Sequence, residues 1–160
     1  MIVDVEYSIG LIKKQIDACF PDCEGYGWSF SEVDETNLFF TIRMKAKDDE
    51  VYLLKVVFDN YPQWPLLLDF IDEKTGEVGL RTAYPFCSDN FLNKEKITIC
   101  HPCSRKAYKG YTGLHTDWGE LEGWQKNPSI GLFKSLKPIL EAISFRLNGD
   151  LYNGRMEKRQ

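Results

Sequence analysis

Apolar positions near the start of the chain fall at Ile9, Ile12, Ile16 and Cys19, with Leu11 beside them and Lys13, Lys14, Gln15 and Asp17 on the other side. That three-to-four spacing predicts an amphipathic helix over Ser8 to Cys19, with Ser8 as its N-cap and Pro21 and Gly25 ending it. The period then drops to two. Tyr26 to Val33 alternates aromatic and polar residues, Asn37 to Ala46 is rich in aromatic and β-branched residues, and Val51 to Phe58 is strongly apolar. Asp34-Glu35-Thr36 and Lys47-Asp48-Asp49-Glu50 separate these runs as polar turns, so they predict an antiparallel meander. Leu66 to Ile71 supplies a fourth strand. It is reached through Tyr61-Pro62-Gln63-Trp64-Pro65, whose two prolines exclude a central strand and predict an extended crossing segment.

The pattern loses its period from Asp72 to Glu95, where Glu73-Lys74-Thr75-Gly76 reads as a turn and Tyr84-Pro85-Phe86 as loop. Lys96 to Cys100 is a short strand-like burst. His101 to Gly123 shows no period and is punctuated by Gly110, Gly113, Gly119 and Gly123, a length of loop that points to function or disorder. Ser129 to Leu147 is helical, with Ile130, Phe133, Leu136, Leu140, Ile143 and Leu147 near one face. Pro138 within it predicts a kink or two tandem helices, and Asn148-Gly149 predicts the stop. The tail from Arg155 to Gln160 is polar and expected to fray. The order is helix, four strands, a long irregular stretch and C-terminal helices, which is an α+β single domain over residues 1–160.

Composition narrows this without changing it. At 160 residues the chain fits one domain, and 43% apolar residues suffice for a core without disulfides or metal. A net charge of -4 argues against an electrostatic nucleic-acid binder. No apolar run has the length of a membrane span. The opening Met1-Ile2-Val3-Asp4-Val5-Glu6 lacks the basic region of a secretory signal, so a cytoplasmic location is expected. Five cysteines, an odd number, argue against a secreted disulfide framework.

Several short motifs occur in an order that resembles a known family. Val57-Phe58-Asp59-Asn60-Tyr61-Pro62-Gln63-Trp64-Pro65-Leu66-Leu67-Leu68-Asp69-Phe70 is similar to the F-P-x-x-Y-P-x-x-P-P-x-v-x-F stretch of the ubiquitin-conjugating (E2) family, with Leu66 in place of the second proline. Ile99-Cys100 resembles the Ile-Cys that carries the family's nucleophile. Trp124 followed by Pro128-Ser129-Ile130 resembles the tryptophan and proline that precede its long helix. Phe145-Arg146-Leu147-Asn148-Gly149-Asp150-Leu151-Tyr152-Asn153-Gly154 resembles the W-L-x-T-G-x-W-x-G ending of bacterial E2-like proteins encoded in CBASS antiphage operons. The resemblance implies a UBC-like fold and acyl transfer through a cysteine thioester. The tail carried would be that of a cGAS-like nucleotidyltransferase, activated by an E1-like protein; no nucleic acid, membrane, cofactor or metal is implied. Eukaryotic members have His-Pro-Asn ahead of the cysteine, its Asn serving the oxyanion. Here Tyr84-Pro85-Phe86 stands further upstream, leaving Asn90 and Asn93 as substitutes, or else a catalytically inactive E2-like scaffold.

Thioester chemistry needs an exposed thiol that ionises readily. Cys100 follows a strand, and Arg105 and Lys106 are expected to favour its thiolate. Cys103 is the alternative nucleophile, since His101-Pro102-Cys103 also resembles the His-Pro-Cys of autophagy E2-like enzymes. Cys100 and Cys103 could otherwise form a redox pair, or half of a zinc site with Cys19 and Cys23. Cys87 sits in the loop expected to line the site. His101 and His115 are candidate general bases, with a surface role the plainer reading. Asp117 and Asp150 are candidates to orient an incoming lysine, against solvated carboxylates. Trp118, Trp124, Tyr108 and Tyr111 either cover a partner's tail or pack beneath the loop.

Overall fold

In a computed structural model describing residues 2–108, 111 and 121–158, the N-terminal stripe forms helix α1, Val5–Asp17. It starts one turn earlier than the periodicity suggests. Asp4 is the N-cap, its carboxylate accepting from Tyr7 N at 3.1 Å. Ser8, expected at the cap, lies inside the helix and donates to Tyr61 O at 2.5 Å across the core. A short helix α2, Cys23–Tyr26, follows and ends at Gly27, whose φ of 72° is the left-handed conformation that glycine adopts most easily.

The meander forms as one antiparallel sheet of β1 (Trp28–Phe30), β2 (Phe39–Lys45), β3 (Val51–Val57) and β4 (Leu67–Ile71), in sequence order. Its register pairs Ile42 with Leu54 and Leu54 with Phe70. Phe40, Ile42, Met44, Tyr52, Leu54, Val56, Leu68 and Phe70 all point inward and are buried, while alternate residues of β2 and β3 stay partly or fully exposed. One face of the sheet therefore makes the core, with α1 and the C-terminal helix packed against it.

Residues 59–64 are turn-rich rather than extended. Buried Tyr61 donates to Gln15 Oε1 at 2.9 Å, and buried Trp124 donates to Pro62 O at 2.9 Å. The irregular region after Asp72 contains β5 (Pro85–Cys87), β6 (Leu92–Asn93) and β7 (Thr98–Ile99), the last two forming a hairpin.

The C-terminal helix α3 spans Leu136–Leu147 only. Pro138 falls in its first turn, where no intrahelical N–H is needed, so there is neither kink nor tandem helix. Residues 129–135 are turns. Gly149 lies against the helix end, where a Cβ would meet Phe145 O at 2.8 Å. The tail does not fray at Arg155. It forms β8 (Tyr152–Arg155), which pairs with β5. Arg155 is tied to Thr82 O, Val51 O and Glu50, with its guanidinium over the Tyr52 ring. No helix among the described residues is long and apolar enough to cross a membrane.

Candidate functional site

Cys100 follows β7, at the base of the β6–β7 hairpin. Its backbone N–H donates to Phe91 O at 2.7 Å, extending the Leu92–Ile99 and Asn93–Thr98 pairs by one rung. The turn between the strands is closed by Asn93, whose Oδ1 accepts from Glu95 N at 3.1 Å and Lys96 N at 2.9 Å. Ile97 takes a φ of 50° there, a left-handed conformation that costs a β-branched residue about 1–2 kcal/mol. The turn thus combines local closure by Asn93 with a strained Ile97.

Cys100 is partly exposed and lines a cleft of about 410 Å³ with Cys87, Asp89, Asn90, Asn93 and Lys94. Both asparagines proposed as oxyanion donors are therefore on the same cleft as the thiol. With Asn93 Oδ1 engaged in the turn, its amide is the end left to donate. Cys87 also lines the cleft but is only 2% exposed, its thiol donating to Arg146 O at 3.9 Å.

Charged side chains fasten the segment after Cys100 to the sheet and the turn before β4. Arg105 is buried, its Nε donating to Pro65 O at 3.0 Å, Nη1 to Asp59 Oδ1 at 2.7 Å and Nη2 to Asp59 O at 3.1 Å. Lys106 Nζ pairs with Asp69 Oδ2 at 2.6 Å, and Asp69 Oδ1 accepts from Tyr84 OH at 2.6 Å. Asp69 is buried, so this network is desolvated.

These pairings correct the expectation that Arg105 and Lys106 activate Cys100. Each cation is compensated at contact distance by a carboxylate, and burial pushes the Cys100 thiol up from its ordinary value. The two cations instead fasten the loop to β4 and to the turn before it.

Cys103 is 1% exposed and its thiol is pushed up to about 12, chiefly by burial. In this conformation it cannot present sulfur to a partner's carbonyl, so the alternative nucleophile is the less accessible of the pair. His101 is partly buried rather than on the surface. Its ring sits edge-on to Phe133 at 4.5 Å and tilted to Phe91 at 5.9 Å. Its Nδ1 accepts from Cys103 N at 3.1 Å. Burial, reinforced by Arg146, pushes its pKa down to about 4. The neutral ring therefore carries its proton on Nε2 and has its basic nitrogen occupied. In this arrangement His101 packs against Phe91 and Phe133 and fixes the loop through Nδ1.

The remaining candidates divide. Asp150 is exposed and is not among the cleft residues. Tyr108 is buried and donates to Pro102 O at 2.8 Å, while Trp124 is core. Tyr111 is exposed. His115, Asp117 and Trp118 lie outside the described residues. None of the five cysteines is in a disulfide, and no group of three or more His, Cys, Asp or Glu converges among the described residues, so the Cys19/Cys23 and Cys100/Cys103 pairs do not meet. Cys19 and Cys23 instead donate along the helix end to Gln15 O and Cys19 O, each at 3.4 Å.

The sequence reading missed Asp89, Phe91 and Arg146. Nothing in their spacing marks them; they meet only because β8 and α3 return beside the cleft. No family model matches the sequence, and no curated protein matches it.

Proposed function

We propose that this chain is an E2-like acyl carrier with Cys100 as its nucleophile. One observation carries the reading: of the five cysteines, Cys100 alone is both partly exposed and on an open cleft with amide donors. The order and spacing of the Tyr61-Pro62, Pro65, Ile99-Cys100 and Trp124 motifs support it, as does an N-terminal helix ahead of a four-stranded antiparallel sheet. In this reading the Cys100 thiolate attacks the activated C-terminal carbonyl of a partner protein. The S–C bond forms and the activating group leaves. An acceptor amine then attacks the thioester, forming the N–C bond, breaking C–S and returning the thiol. Asn93 and Asn90 are the groups on hand to stabilise the oxyanion. The resemblance to the CBASS branch makes a cGAS-like nucleotidyltransferase the carried protein, an E1-like protein the activator, antiphage defence the setting and the cytoplasm the place.

The raised Cys100 thiol favours a second reading, a catalytically inactive E2-like scaffold that binds the same partner. Co-expression with the nucleotidyltransferase and the E1-like protein separates the two. A carrier gives an adduct on Cys100 that thiols release, and Cys100→Ser gives an ester that thiols do not. A complex without an adduct on any cysteine is the scaffold's result.

A further inference from the structure

We infer that Arg146, near the C-terminal end of α3, is the positioning residue for the Cys100 segment; the inference rests on the acyl-carrier reading above. Its guanidinium carbon stands 3.7 Å from the centroid of the Phe91 ring. Its Nε donates to Asp89 Oδ2 at 2.8 Å, and Nη1 donates to Ala142 O at 3.1 Å, which fixes the fork on the helix. Its own carbonyl accepts the Cys87 thiol. One residue thereby anchors Cys87 and Asp89 of the cleft wall and Phe91 beside them. Phe91 passes this on, because its carbonyl holds the Cys100 N–H and its ring supports His101.

Simple surface pairing does not account for this arrangement. The Asp89 side chain is 28% exposed and Arg146 24%, and Asp89 Oδ1 is sealed from solvent without a partner. A buried acceptor left unsatisfied persists only where neighbouring contacts over-determine it. Here those contacts are the guanidinium over the Phe91 ring and the Nε bond, which together need a guanidinium. A lysine ammonium can supply the charge but cannot supply both contacts.

The test uses the intact chain without any partner, so it does not depend on conjugation. Three quantities are read: exchange of the Cys100 amide proton, the pH midpoint of Cys100 alkylation by iodoacetamide, and the His101 ring titration by NMR. Arg146→Ala should speed Cys100 amide exchange by about tenfold or more and lower the alkylation midpoint as the thiol is re-solvated. It should also raise the His101 titration, while Cys103 stays protected and certifies the fold. Arg146→Lys should reproduce the two Cys100 changes yet leave His101 near its wild-type titration, since the charge remains. Asp89→Ala, which removes one anchor, should move the Cys100 readings the same way by less and covers the case in which Arg146→Ala unfolds. Unchanged Cys100 exchange and alkylation in the alanine variants, or full rescue by lysine, overturns the inference. A wild-type chain that forms no thioester sinks the acyl-carrier reading and leaves these three readings to decide the role of Arg146.

Discussion

The four-stranded sheet and the Cys87–Tyr108 cleft region are held together by different physics. In the sheet, β2, β3 and β4 are five to seven residues long and pair in unbroken register, and period-two alternation puts one apolar face against α1 and α3. In the cleft region the strands are two or three residues long. What holds that region is three cations reaching from loop or helix to distant carboxylates: Arg105 to Asp59, Lys106 to Asp69 and Arg146 to Asp89. The Cys100 segment is therefore suspended from polar anchors on an apolar scaffold. A polar anchor is directional, so it can fix a thiol's position where two-residue strands cannot.

If so, substitutions in the two regions should differ in kind. The largest effect is expected from Asp59→Ala, which leaves the buried Arg105 charge with backbone acceptors but no carboxylate and should cost about 3–5 kcal/mol in urea unfolding. Removing the other partner, by Arg105→Leu, should cost less, because the Asp59 side chain is 42% exposed and water can replace the lost cation. Equal costs would mean that the pair is not asymmetrically buried. Leu54→Ala, in the middle of the sheet, should cost about 3 kcal/mol through its cavity. Unlike Asp59→Ala, it should leave Cys100 alkylation as in the wild type; a shift there would erase the distinction between the regions.

A smaller effect concerns acid. The folded pKa of His101 is depressed from 6.5 to about 4. The unfolded chain therefore binds the proton first, and the stability from the neutral ring is complete above about pH 6.5 and is lost as pH falls toward 4. His101→Gln should flatten the stability profile in that window, and an unchanged slope would place the acid sensitivity elsewhere. The smallest effect belongs to Asp4→Ala, which removes the α1 cap. It should cost about 1 kcal/mol in thermal unfolding without altering any cysteine's labelling.

Each half's legibility in the sequence follows the same divide. Alternation at Phe40, Ile42 and Met44, and at Tyr52, Leu54 and Val56, is a local signal, and it located the strands to within a few residues. Cys100 stood out because a cysteine after a short strand is also local. Ser8 misled because a serine beside an apolar stripe reads as a cap, whereas its hydroxyl serves Tyr61 O, 53 residues away in the chain. Pro138 misled because its place within the helix depends on where the helix begins, and Leu136 N finds its partner at Gln15 Oε1, 121 residues distant. Arg105 and Lys106 were noticed for their charge, but their effect depends on Asp59 and Asp69, which only the fold brings to them. Asp89 and Phe91 left no trace, and Arg146 was visible only as part of the C-terminal motif, for the same reason.

The most direct test of Cys100 as a carrier is the intact mass of the chain, purified under acidic, non-reducing conditions from cells also producing the nucleotidyltransferase and the E1-like protein. The account predicts a mass increase equal to that of the attached protein, released by hydroxylamine and absent in Cys100→Ala. An adduct that persists in Cys100→Ala and maps to Cys103 would contradict it.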